Sequence, residues 1–190
     1  MSEVQRHNVA YPGGLTARFR WGGSGSGEEV FALSEGSGRL DDHGRLAGEH
    51  PERLCRAELR VEGPLGEWTA RLASPVFDAP EAILWDTEAL LVVKYGFRAY
   101  ALASRTGELR WSYASGTPLV TVLGSTRLPH VLVQGEVETV ALDPEGSVRW
   151  RVAHSDVVSA AELVAGSLAL TSYAGAISLL DPSDGRTLPQ

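Results

Sequence analysis

The chain has 190 residues, 43% apolar and 22% charged, with a formal net charge of −7; that length buries a proper core and fits one domain or one compact repeat array. Seventeen Lys and Arg stand against 24 Asp and Glu, with no basic run along the sequence, which excludes the electrostatic footprint of a nucleic-acid binder or of a ligand for an anionic membrane surface. A single cysteine, Cys55, excludes an intrachain disulfide framework, and no apolar run approaches the roughly 18 residues of a membrane-spanning helix.

The N-terminal stretch "MSEVQRHNVAYPGG" carries no apolar segment of signal-peptide length, so a cytoplasmic protein is expected. Residues 15–72 predict a divergent first sheet built from two hairpins. "TARFRW" and "EEVFALS" flank "GGSGSG", which reads as a hairpin with a flexible tip. The connector "RLDDHGRLAGEHPERL", Arg39 to Leu54, is long and polar, with one helical turn expected after Pro51. "CRAELRVE" then alternates strictly: Cys55, Ala57, Leu59 and Val61 on one face, Arg56, Glu58, Arg60 and Glu62 on the other. It meets "EWTARLA" across "GPLG", the second hairpin.

The rest of the chain repeats itself in three units, 73–113, 114–152 and 153–190, within what reads as a single β-repeat domain. "LLVVKYGFRAYALASRTGELRW" from Leu90, "HVLVQGEVETVALDPEGSVRW" from His130 and "SLALTSYAGAISLLDPSDGRTL" from Ser167 share one plan: an apolar run, a tight turn, a second apolar run ending in Leu, a Gly turn and a short final strand. Gly107, Gly146 and Gly185 recur every 39 residues, as do Trp111 and Trp150. A further short strand precedes each unit: "SPVF" at Ser74, "TPLVTVL" at Thr117, "DVVSAAEL" at Asp156. About 40 residues make four short antiparallel strands, and such a sheet has two apolar faces, so it needs a neighbour on each side. The repeated Gly lets its turn take φ > 0. The Trp supplies apolar area between adjacent sheets and a ring N–H that needs a partner. The expected fold is therefore all-β: about four short antiparallel four-stranded sheets in a small or partial propeller, open or closed. Where two units place Trp, the third places Pro189, so its fourth strand is expected to be short or absent and its edge open. Either Val4 to Ala10 closes that edge in cis, or a second molecule pairs with it in trans; a dimer of open arrays is the expectation.

"YALASRTGELRW" (Tyr100–Trp111) and "VALDPEGSVRW" (Val140–Trp150) resemble the repeat of quinoprotein-type β-propellers, and "SLLDPSDGRTL" (Ser178–Leu188) is similar without its Trp. The resemblance covers Ser74 to Leu188 and implies the propeller fold. It implies no activity, since the repeat occurs in dehydrogenases, outer-membrane assembly lipoproteins and sensor domains. The dehydrogenases use eight blades and a calcium-bound quinone. With at most four sheets here, no catalytic, metal or cofactor residue carries over, and no cofactor is expected.

Three other stretches invite chemistry. "AHSDV" sets His154, Ser155 and Asp156 side by side, whereas a hydrolytic triad converges from separate elements, so a solvated connecting loop is expected. "DDHGRLAGEHPERLC" gathers Asp41, Asp42, His43, Glu49, His50, Glu52 and Cys55 at spacings that match no zinc template; a mobile acidic loop is expected. "WGGSGSGEE" lacks the Lys-Ser/Thr and the following helix of a phosphate-binding loop. One geometric expectation remains. In a meander sheet, the turn between the second and third strands lies on the same face as the loop entering the next sheet. Tyr95, Tyr113, Gln134, His154, Asp156 and Tyr173 should therefore crowd one face, a partner-binding rim. The leading functional reading is a non-enzymatic interaction module whose partner is a protein, including a second copy, with neither nucleic acid nor membrane. The alternatives are a small-molecule binder or enzyme using a central pocket, and a neutralising partner of a toxin or phage protein.

Overall fold

A computed structural model describes residues 3–31, 39–42 and 50–189. The fold is all-β. Among the described residues, sixteen strands form four sheets, and a single five-residue α-helix accompanies them. The chain divides into two compact units, Met1–Pro80 with Leu102–Leu109, and Glu81–Ala101 with Arg110–Gln190.

The first sheet contains β1 (Gln5–Tyr11), β2 (Leu15–Gly22), β3 (Arg39–Asp42), β4 (Cys55–Gly63) and β5 (Gly66–Ser74), in the order β1-β2-β4-β5-β3. The alternation of "CRAELRVE" is realised: Cys55, Ala57, Leu59 and Val61 are all buried, alongside Ala17, Phe19, Trp21, Trp68, Ala70 and Leu72 from the neighbouring strands. The expected turn at Pro51–Arg53 is present as a 3-10 helix.

Three expectations for this region are corrected. "GGSGSG" does not head a hairpin; β2 pairs with β1 and β4. After β2 the chain forms α1 (Gly27–Phe31), started by a hydrogen bond from Ser26 Oγ to Gly23 O and continued by Val30 N to Ser26 O, and Val30 is fully buried. A single apolar anchor thus decides the local structure over the β-propensity of "EEVF". Residues 32–38 lie outside the described residues. Part of the polar connector is also a strand: β3 runs parallel to β5, Arg39 opposite Trp68 through Asp42 opposite Arg71, covering an edge that would otherwise expose unpaired amides. Finally, the N-terminal segment does not close the last sheet. β1 pairs with β2 over its whole length, Gln5↔Trp21 to Tyr11↔Leu15. The reason is local: Pro12-Gly13-Gly14 makes the turn, with φ of +78 and +79 at the two glycines, and a three-residue closure costs far less chain entropy than a return across the whole chain.

The second sheet is the meander β6 (Glu81–Trp85), β7 (Leu90–Tyr95), β8 (Arg98–Ala103), β9 (Leu109–Ala114). Its entering strand is "EAILW", not "SPVF"; Pro75 has no N–H to offer a ladder, and Phe77 is 60% exposed. The third is β10 (Leu119–Leu123), β11 (Val131–Gly135), β12 (Glu138–Leu142), β13 (Val148–Ala153), and the fourth is β14 (Val158–Val164), β15 (Ser167–Ser172), β16 (Ile177–Leu180). The fourth strand of this last sheet is reduced, as expected, to one bridge, Leu180↔Thr187, flanked by bonds from Leu188 N to Leu179 O and from Asp181 N to Arg186 O.

One packing device recurs three times along the chain. Gly107, Gly146 and Gly185 all sit at φ between +72 and +83. Each lies flat against a tryptophan of the preceding sheet: Gly107 on Trp68, Gly146 on Trp111, Gly185 on Trp150. A Cβ at these glycines would come within 2.5, 2.6 and 2.7 Å of the ring atoms. Two of the rings also donate their N–H to a carbonyl of the same turn, Trp68 Nε1 to Ser104 O and Trp111 Nε1 to Pro144 O, both at 3.0 Å. In the third clasp His130 takes that role. Its Nε2 lies 2.8 Å from Pro182 O and must donate, since a carbonyl only accepts. Its ring stands edge-on to Trp150 at 5.9 Å. Around the clasps lie two apolar layers. Val92, Ala99, Ala101 and Trp111 of the second sheet meet Val131, Val133, Val140 and Leu142 of the third. Leu132, Ala141 and Trp150 of the third meet Leu168, Leu170 and Leu180 of the fourth.

Candidate functional site

The expected rim is built by backbone bonds in which each repeat secures the hairpin tip of the one before it. Ser115 N donates to Phe97 O and Leu119 N to Gly96 O. One repeat later His154 N donates to Val137 O and Val158 N to Glu136 O, and Tyr173 N donates back to Val157 O.

On this frame, side chains of the third sheet form a chain of hydrogen bonds. Gln134, buried in β11, donates its Nε2 to Gly135 O at 2.8 Å and Glu138 O at 3.1 Å. Two carbonyl acceptors fix the amide's orientation, so its Oε1 faces Thr139 and accepts the Thr139 hydroxyl at 2.6 Å. That hydroxyl has spent its only proton, so His154 Nε2, 2.7 Å away, carries a hydrogen and donates to it. His154 is half-buried, and burial holds its pKa below the usual histidine value, partly offset by the Glu138 carboxylate. Glu138 is the second hub. Its Oε1 accepts from Tyr113 OH at 3.0 Å and Ser115 Oγ at 3.3 Å, and its Oε2 pairs with Arg151 Nε at 3.4 Å. Arg151 Nη2 also donates to Tyr113 OH at 3.1 Å. Burial and the bond to Glu138 raise the Tyr113 pKa.

Of the six rim residues named from sequence, the network links Tyr113, Gln134 and His154. Tyr95 and Gln134 are each 1% exposed and support the rim from beneath. Asp156 and Tyr173 stand at the surface; Asp156 Oδ1 caps the amide of Val157 at 2.8 Å, and Tyr173 is 84% exposed. Glu138, Thr139 and Arg151 went unnamed, although a Glu opening the otherwise apolar strand "ETVAL" is a signal for a paired, functional or structural charge. In "AHSDV", His154 turns to Thr139 while Asp156 turns to its own loop, so the two do not converge. Of the acidic connector, His43 and Glu49 lie outside the described residues, and His50 pairs with Glu52 at 3.3 Å at the surface. Among the described residues no group of three His, Cys, Asp or Glu is arranged to hold a metal ion, and no helix is long and apolar enough to cross a membrane.

The repeat and its clasps match a sequence family described as outer membrane protein assembly factor BamB, over residues 66–151 and again over 99–188. The chain belongs to that BamB-type repeat family. Its fold also matches the crystal structure of BamB from Moraxella catarrhalis, with a TM-score of 0.56 and 15% identity over 98% of this chain and 65% of that one. The structure titled HIRA(644-1017) matches with a TM-score of 0.52 and 12% identity over 97% of this chain and 52% of that one. The chain thus spans about half to two thirds of these propeller structures. No curated protein matches it significantly in sequence. Two overlapping matches of one repeat family fit a chain whose BamB-type units each lend a tryptophan to the next.

Proposed function

We propose that this protein is a non-enzymatic protein-interaction module that associates with a second copy of itself through its fourth sheet. One observation carries the reading. The outward face of that sheet is set by two cross-strand rows, Ala160–Thr171–Ile177 and Glu162–Ala169–Leu179, with Val164 beyond them. Ile177 is 57% and Val164 47% exposed. On the third sheet the corresponding face, Leu132, Ala141 and Trp150, is packed beneath its neighbour. An apolar sheet face beside a poorly paired edge is a surface that proteins cover. The propeller fold shared with BamB and the HIRA fragment, and the description of BamB as an assembly factor, support a role in holding other proteins. Tyr173 and Asp156, in the loops that border this sheet, belong to the proposed contact.

Sedimentation at micromolar concentration tests this. The expected result is a species of twice the 20.3 kDa chain mass that Ile177→Asp converts to the monomer. A wild-type chain that stays monomeric up to roughly 100 μM, where even weak specific pairs form, overturns the self-association.

A further inference from the structure

The first sheet assembles a basic surface that no run of the sequence contains. Cross-strand pairing places Arg6, Arg20, Glu58 and Arg71 in one row of its outward face, and Asn8, Arg18, Arg60 and Thr69 in the next. With Arg56, Glu62 and Glu67, and with Asp42 of β3 in register with Arg71, the face holds six arginines against four acidic residues, a surplus of two. Since the whole chain carries −7, everything outside this face sums to −9.

Part of the face is occupied. Arg71 lies 4.6 Å over the Phe31 ring of α1, and Arg56 and Glu58 are buried. The remainder is a groove of roughly 260 Å³ lined by Arg6, Asn8, Arg18, Arg20 and Arg60, with Glu58 and Phe19. Within it, charges of one sign face each other directly. Arg18 opposes Arg60, a pair that Glu62 relieves by reaching Arg18 Nη2 at 3.1 Å and Arg60 Nε at 3.2 Å. Arg6 opposes Arg20, whose other cross-strand neighbour is the buried Glu58, so Arg6 itself stands at the open edge of the row. Arg20 gives Nη2 to Glu29 O at 2.6 Å, and its guanidinium adds charge to the groove lining. Like charges directly opposite on a sheet are unfavourable, and exposed guanidinium groups such as those of Arg6 and Arg18 take carboxylates well.

We propose that this groove binds an extended acidic peptide segment. Alternate residues of a strand are about 6.8 Å apart, which is also the separation of the two arginine rows along β2. A peptide lying along the strands with acidic residues at alternate positions sets one carboxylate between Arg6 and Arg20 and the next beside Arg18. A nucleic acid fits less well, because the −9 charge of the remaining chain repels a long polyanion while a short peptide meets only the groove. This site lies on the first sheet and does not depend on self-association through the fourth.

The test is fluorescence anisotropy with a labelled octapeptide of alternating Glu and Ser, against one of alternating Gln and Ser, in wild type and in the Ile177→Asp background, so that loss of self-association leaves the readout intact. The acidic peptide is expected to bind, the Gln peptide not, and binding should weaken as salt rises through physiological strength. Arg6→Glu should lose roughly tenfold or more in affinity, Arg6→Lys should keep most of it, and Arg110→Glu, on exposed β9, should change it little. No binding, equal affinity in Arg6→Glu, or equally tight binding of an oligothymidylate of the same charge would overturn the proposal.

Discussion

At the scale of the residue, the repeated glycine is constrained twice, and the two constraints can be separated. Gly146 sits at φ +83 with a Trp ring against it, whereas Gly13 sits at φ +78 with nothing nearby. Gly13→Ala should therefore cost about 1 kcal/mol of backbone strain, and Gly146→Ala roughly 2–4 kcal/mol in denaturant titrations, because the ring must also move. Equal losses would show that the clasp is loose. His154 supplies a pH signature. Its folded pKa lies below its unfolded value, so the unfolded chain binds more protons and stability rises with pH. The contribution is complete above the unfolded value of about 6.5 and is lost as pH falls from there through the lower folded value. The denaturation midpoint should drop between pH 7.5 and 5.5, and His154→Asn should shrink the drop. Cys55 is 5% exposed with its thiol pKa raised by burial, so it should react with thiol reagents only as fast as the sheet opens. The positive-φ glycines were legible in the sequence because a turn advertises itself in residue type. The Gln134–Thr139–His154 chain was not, since hydrogen-bond order depends on which amide orientation two carbonyls select.

At the scale of the element, Trp111 and Trp150 hold equivalent places, but they are not energetically equal. Truncation of Trp111 to Ala should cost about 3–5 kcal/mol, as for large core side chains. Substitution by Phe distinguishes the two. Trp111→Phe strips the Pro144 carbonyl of its donor, at roughly 1 kcal/mol. Trp150 Nε1 has no acceptor among the described residues, so Trp150→Phe loses packing alone and should cost less. The 39-residue period made the three later units readable, because each Gly, Leu and Trp is a packing position repeated in register. The first sheet was harder. Trp68 is the third clasping tryptophan, yet it follows its Gly66 by two residues where Trp111 and Trp150 follow theirs by four. The strand that "EEVFALS" promised became a helix because Val30 found a buried place, which is a tertiary decision that local pattern does not contain.

At the scale of the whole molecule, composition reported an acidic chain without a basic run, and strand pairing then gathered six arginines onto one face. Net charge was legible; its segregation was not, because antiparallel register brings Arg6, Arg20 and Arg71 together from positions tens of residues apart. The clasp has a further consequence, for length. Each repeat brings the ring for the joint ahead and the glycine for the joint behind, so a whole repeat can be removed without leaving an unmatched half. Deleting residues 112–150 joins Trp111 to Arg151 and sets Trp111 where Trp150 stood, opposite Gly185. Such a shortened chain should keep a β-type dichroism spectrum and unfold cooperatively, whereas a deletion shorter by ten residues, which takes the same strands out of phase, should do neither. The protein is in this sense written in whole repeats, and its natural unit of gain or loss is the repeat rather than the residue.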